Sequence, residues 1–295
     1  MTHSSQRRFL PFLVALIFGC AGVAPVFAAD APTAFSVKVT GSGPPMILIP
    51  GLACTGDVWD STVAHFKDRY TCHVLTLAGF GGPPPLKAPM LDTVRAQLVD
   101  YIRDQKLDHP VIVGHSLGGF LAFWLAATDP GAVGPVVAVD GLPFLPAAFN
   151  PTATEESVKP MAEGMRARIA DGSREDYLAN SQRTLEAMIS DPAKVKIAHA
   201  WAEHCDIPSV ALAMSEMMSK DLRPKLAAIQ SPVLLIGAGN FGGAPDMLKE
   251  AQAKYEDQVS TIPHHKVVMA ANAKHFIMFD DPKFLFQTMD AFLQH

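Results

Sequence analysis

Short apolar runs recur along the chain at Phe35–Val39, Met46–Ile49, Thr71–Leu77, Val111–Val113, Val136–Val139, Val233–Ile236 and Lys266–Met269. Their brevity and their content of Val, Ile and Leu predict buried strands. Most of the stretches between them carry apolar residues at helical spacing, as in Leu91-Val94-Leu98-Tyr101-Ile102 and Phe284-Phe286-Met289-Phe292-Leu293. Strands alternating with helices predict an α/β fold, a mainly parallel sheet covered by helices on both faces. Ligands of such sheets bind beyond the carboxyl ends of the strands.

The alternation breaks between Gly141 and about Arg223, where helical pieces follow one another and Pro143, Pro146, Pro151 and Pro160 punctuate the start. This predicts a helical cap, residues 142–223, inserted into an α/β core made of residues 29–141 and 224–295. Met161, Met165, Met188, Met214, Met217 and Met218 recur through it. Methionines at such spacing are ordinary core, and their flexible thioethers also suit an adaptable apolar pocket. Gly81-Gly82-Pro83-Pro84-Pro85 reads as a stiff loop.

The first residues read as an address. Arg7 and Arg8, the apolar stretch Phe9 to Phe18 and the small-residue end Val26-Phe27-Ala28-Ala29 have the layout of a secretory signal peptide, residues 1–28, cleaved after Ala28. A membrane anchor is the competing reading, but Gly19, Gly22 and Pro25 interrupt the run before the roughly 20 residues a span needs. Ile17-Phe18-Gly19-Cys20 is similar to a lipobox, which would make Cys20 a lipidated residue, but Phe18 is bulky for that pattern. The expected location is the periplasm or the exterior, with no stable membrane span after cleavage.

The remaining chain, about 265 residues, suits one domain with a sizeable core. It keeps Cys54, Cys72 and Cys205, an odd number that permits at most one disulfide and matches no zinc spacing. The 24 basic and 29 acidic residues form no long run of either sign, so there is no footprint for nucleic acid or an anionic membrane. The expected partner is a small, largely apolar molecule, with no metal and no organic cofactor. Oligomeric state stays open. His264-His265 invites a metal reading, but neighbouring histidines on an extended chain point to opposite faces, and a solvated loop is preferred.

The chemistry centres on Gly114-His115-Ser116-Leu117-Gly118, between the run ending at Val113 and a helix-like segment. A serine on a tight strand-to-helix turn, flanked by glycines that let strand and helix approach, is a candidate nucleophile. Acyl transfer by Ser116 needs a base, an acid to orient it and donors for the oxyanion. His275, in Ala273-Lys274-His275-Phe276 after the last predicted strand, is the candidate base. The backbone N–H of Leu52, in Ile49-Pro50-Gly51-Leu52, and that of Leu117 are the candidate oxyanion donors. Cys54 lies close by, but nothing basic is adjacent to activate it.

In this order, Pro50-Gly51-Leu52, Gly79-Phe80-Gly81, Gly114-His115-Ser116-Leu117-Gly118-Gly119 and Lys274-His275-Phe276 before Asp281-Pro282 resemble the α/β-hydrolase superfamily over nearly all of the mature chain. The acid departs from that family's commonest pattern. An aspartate usually follows the strand represented by Val233-Leu234-Leu235-Ile236, yet here the chain reads Gly237-Ala238-Gly239-Asn240-Phe241. Asp140, after the strand Val136–Val139, is preferred, since some branches, including haloalkane dehalogenase-like enzymes, place the acid there. Asp246 is the alternative, although Pro245-Asp246 also reads as a helix start. Asn240 could orient His275 without stabilising its charge.

The resemblance implies a serine hydrolase, cleaving a carboxylic ester, or a thioester or amide, of a small apolar substrate through an acyl-enzyme. Ser116 argues against the branches with an aspartate nucleophile. A haloperoxidase- or perhydrolase-like activity and a lyase would use the same triad. A non-catalytic ligand-binding protein on the same scaffold is the reading from another class, supported only by the missing carboxylate after Ile236.

Overall fold

The computed structural model describes residues 1–2, 32–240, 242 and 244–294, so the expected signal peptide, its cleavage site and Cys20 lie outside the described residues. Seven strands form one sheet: β1 (Phe35–Gly41), β2 (Pro45–Ile49), β3 (Thr71–Leu77), β4 (Val111–His115), β5 (Val136–Val139), β6 (Val233–Ala238) and β7 (His265–Ala270). Their order is β1-β3-β2-β4-β5-β6-β7. β1 runs antiparallel to β3 at one edge, and every other pairing is parallel.

The central strands are buried at every position because both faces are covered. Successive residues point to opposite faces, which splits the core in two. Ile47, Ile49, Ile112 and Leu235 pack on one face with the helices α2 (Met90–Asp104) and α3 (Leu117–Thr128). Met46, Leu48, Val113, Leu234 and Ile236 pack on the other, with α1 (Asp60–Phe66) and Leu285 and Met289 of the terminal helix Pro282–Leu293. Every residue of α3 from Leu117 to Ala127 is buried, as expected of a helix that is apolar all round.

Between β5 and β6 the described chain holds no strand. It folds into α4 (Glu155–Ala170), α5 (Arg174–Met188), α6 (Pro192–Ala202) and α7 (Ile207–Ser219). Each begins at a side chain that accepts a bond from the first turn: Thr154, Ser173, Asp191 and Asp206. The insertion is not a separate body, since Pro32–His295 forms one compact unit. α7 is its anchor. Glu216 accepts from Met90 N–H (2.9 Å) and Leu91 N–H (2.7 Å), capping α2, whose preceding Pro89 offers no side-chain cap. α5 has no fully buried residue.

The chain closes with α8 (Pro245–Val259), β7, the short α9 (Ile277–Asp280) and α10 (Pro282–Leu293). No helix among the described residues is long and apolar enough to cross a membrane. His265 opens β7 instead of lying in a solvated loop, and its ring bonds Glu256 (2.5 Å) and Ile262 O (2.7 Å).

Candidate active site

Ser116 sits between the last residue of β4 and the first of α3 with φ 51° and ψ −114°. Positive φ is costly for a residue with a side chain, on the order of 1–3 kcal/mol, and persists only where the surroundings enforce it. They do so here by close approach. A Cβ on Gly114 would lie 2.1 Å from Gly118 O, and one on Gly118 would lie 2.1 Å from Ile49 O. Strand and helix therefore meet at backbone distance, and Ser116 N–H is held by Val139 O at 2.9 Å.

Asp140 follows β5, also at positive φ (47°), its N–H held by Ile236 O at 2.7 Å. Its Oδ2 accepts from His275 Nδ1 at 2.5 Å, and its side chain keeps only 8% exposure. The Oδ1 accepts from Ala238 N–H and from Tyr255 Oη, each at 2.7 Å. Burial alone would push the carboxyl up, but the His275 bond and charge, then the Ala238 and Tyr255 donors, outweigh it and hold the group below its ordinary range. Burial, followed by the neighbouring charge of Asp140, pushes the Tyr255 phenol well above its ordinary value, so it stays a donor.

Asp246 is exposed in the first turn of α8, where it complements the helix dipole. His275 Nδ1 bonds Asp140 instead. Asn240 donates to Asn272 O (3.3 Å) and accepts from Gly242 N–H (3.4 Å), so its amide ties its own loop to the one after β7.

The His275 loop is fixed from three sides. Asp280 accepts from Lys274 N–H (2.9 Å) and also from Ser190 N–H and Oγ (2.9 and 2.8 Å), joining the loop to the α5–α6 connection. Phe276 N–H donates to Met188 O at 3.3 Å. From below, His115 Nε2–H donates to the backbone O of His275 at 3.2 Å, with the two rings 4.7 Å apart. Since a carbonyl only accepts, this fixes the His115 tautomer. Burial first, then the nearby His275, push His115 down to about 3 despite Asp140, so it is a neutral prop.

Leu117 N–H belongs to the first turn of α3, where helix amides lack internal partners. Gly51 brings the Leu52 turn alongside, since a Cβ there would lie 3.4 Å from Ser116 Cβ. The structure thus brings Ser116, His275, Asp140, Leu52 and Leu117 to one place.

Cys54, Cys72 and Cys205 are all buried and free, so the one disulfide the count permits does not form. Burial raises each thiol, Cys72 to about 11 and Cys205 to about 12. Cys54 lies in the pocket wall, its Sγ 3.5 Å from Leu52 O, as an unactivated thiol.

Above the serine lies a cavity of about 680 Å³, walled by Leu52, Ser116, Asp140 and His275 from the core, by Tyr177, Leu185, Met188, Ala198, Ala202, Met214 and Met217 from the insertion, and by Met247 and Tyr255 from α8. Several of the insertion's methionines thus face the cavity. The segment Leu142-Pro143-Phe144-Leu145, where the insertion begins, is partly interior. Phe144 is fully buried beneath the Arg223 guanidinium (4.9 Å), while the pocket residues Phe149 and Met247 are 82% and 54% exposed.

Sequence reasoning missed Tyr255, Ala238 N–H and His115 as supports. The signal for the first two was present: a strand end without its expected carboxylate must leave room for some other group.

Comparison with known proteins places this geometry in context. The profile described as "Alpha/beta hydrolase family" matches residues 46–288. A pimeloyl-[acyl-carrier protein] methyl ester esterase of Nitrosomonas europaea is 26% identical over 226 residues, covering 72% of this chain and 85% of the relative. Among solved structures, the enol-lactonase of Burkholderia xenovorans LB400 superposes with a TM-score of 0.71 at 18% identity, covering 88% of this chain and 96% of the other. A bromoperoxidase from Bacillus anthracis superposes with 0.73 at 18% identity, covering 90% and 97%. At such identities the solved structures speak for the fold alone.

Proposed function

The chain belongs to the alpha/beta hydrolase family, and from that premise we propose that it is a serine ester hydrolase acting through an acyl-enzyme on small, uncharged, largely apolar esters. The observation that carries the reading is the 2.5 Å bond from His275 Nδ1 to Asp140 Oδ2, in the wall of the cavity that Ser116 also lines. Ser116 Oγ attacks the ester carbonyl while His275 Nε2 takes its proton, and Asp140 stabilises the imidazolium that forms. The carbonyl oxygen, now negative, is held by the N–H groups of Leu52 and Leu117. Collapse of the adduct expels the alcohol with the proton from His275, and water then releases the acid by the reverse steps.

The likeness to a methyl ester esterase supports an ester with a small alcohol leaving group. The apolar insertion walls favour an uncharged acyl chain. We read 142–223 as a cap on this site, and the N-terminal pattern as a signal for export to the periplasm or exterior. N-terminal sequencing of the exported protein tests the last point; a start at Met1 overturns it.

A fluorophosphonate probe tests the chemistry. Wild type is expected to label, Ser116→Ala to lose labelling entirely, and Asp140→Asn to hydrolyse p-nitrophenyl butyrate with kcat lowered on the order of 10⁴-fold while remaining folded. Undiminished labelling of Ser116→Ala, or wild-type turnover by Asp140→Asn, sinks the assignment.

A further inference from the structure

We propose that Tyr255 is a positioning residue of this site, holding the Asp140 carboxylate in place from the position where the acid itself more often stands. The inference rests on the triad reading above and adds a residue to it.

Three observations converge on one oxygen and one gap. Asp140 Oδ1 accepts two bonds at 2.7 Å, one from the Ala238 amide at the end of β6 and one from the Tyr255 hydroxyl on α8. Asp140 thus reaches from the end of β5 across to the end of β6. The ring that meets it there is admitted by a glycine: a Cβ on Gly237 would lie 2.7 Å from Tyr255 Cε1. The absent carboxylate after Ile236 is therefore not merely lost. The strand end presents a backbone donor, a small residue and the phenol that glycine admits, and all three serve a carboxylate brought from the neighbouring strand.

A carboxylate rotates about its Cβ–Cγ bond unless both oxygens are held. With Oδ2 on His275 and Oδ1 on two donors, the plane is fixed, and so is the direction in which Nδ1–H must point. Tyr255 also spreads the buried negative charge. Without its hydroxyl that charge is less compensated, and adding a proton to the Asp140–His275 pair becomes easier. The inactive, protonated pair then persists to higher pH. Among the described residues, the other titratable groups lining the same cavity are His115 on β4, Cys54, Tyr177 on α5 and the Glu250–Lys254 ion pair (2.9 Å) on α8.

The experiment uses the full mature protein and p-nitrophenyl butyrate, with thermal unfolding as the check on folding. In Tyr255→Phe, kcat is expected to fall roughly tenfold, the scale of one hydrogen bond to a charged group. The acid limb of the kcat/KM profile should also move to higher pH, which loss of packing alone would not produce. In the Asp140→Asn background the same substitution should have little further effect. Should Tyr255→Phe unfold, 3-fluorotyrosine at 255, a stronger donor of nearly the same shape, should move the limb to lower pH. An unchanged limb in these variants, or losses that multiply fully in the double variant, overturns the proposal while leaving the triad standing. Wild-type turnover by Asp140→Asn overturns both.

Discussion

His115 is neutral in the folded protein down to about pH 3, but in the unfolded chain it takes a proton near its ordinary value of 6.5. Between those values the unfolded state binds the extra proton, so stability falls as pH falls. The contribution is roughly 1.4 kcal/mol per pH unit once the pH is well below 6.5. Urea unfolding between pH 6.5 and 5, where most carboxylates are still ionised, should show this slope. His115→Gln can keep a donor for His275 O and should flatten it; an identical slope in the variant refutes the assignment. The residue beside Ser116 thus sets an acid limit on the fold. Its role was illegible in the sequence, because what makes it a prop is a contact across 160 positions. Ser116 and His275 were legible, because glycine spacing and place after a strand are local properties. Asp140 was legible for a related reason: an ionisable group ending a fully apolar strand has few structural explanations.

At the level of elements, all seven strands lie where the apolar runs predicted them, six of the fourteen ends shifting by a residue or two as flanking residues such as Gly114, His115, Gly237 and Ala238 extend the pairing. What the pattern could not convey is how the inserted helices divide their work. α7 is built into the core and caps α2 through Glu216, whereas α5 rests on half-buried side chains and is tied at its end to the His275 loop through Met188, Ser190 and Lys274. Glu216→Ala should lower stability by about 1–2 kcal/mol, because it strips two amides of a partner and removes negative charge from a helix N-terminus. Denaturant midpoints measure this, and an unchanged midpoint would mean that water replaces the cap at no cost. Such capping across elements leaves no trace in local sequence, since Glu216 and Met90 are joined only by the fold.

Across the whole molecule, a chamber lies between core and insertion, and under the proposed function its depth sets which acyl chains fit. Ala198 and Ala202 of α6 line it as small buried residues. Ala202→Leu adds three carbons and should leave p-nitrophenyl acetate turnover intact while lowering kcat/KM for p-nitrophenyl decanoate by at least about tenfold, the low end of the effect of a single methylene in an apolar pocket. Equal effects on both esters would move the chain-binding region elsewhere. The seat of the acid has a different consequence. With Asp140 directly after β5, Ser116 and Asp140 both belong to the single β4–α3–β5 unit, while His275 and Tyr255 lie beyond residue 244. No proposed triad residue falls between β6 and α8. A chain cut between Asn240 and Ala244 would yield two fragments, one carrying nucleophile and acid, the other base and clamp, rejoined along the paired edges of β6 and β7. Ester hydrolysis would then return only when the pieces meet, making the protein a natural template for a two-part enzyme whose colour reaction reports the encounter of whatever is fused to it.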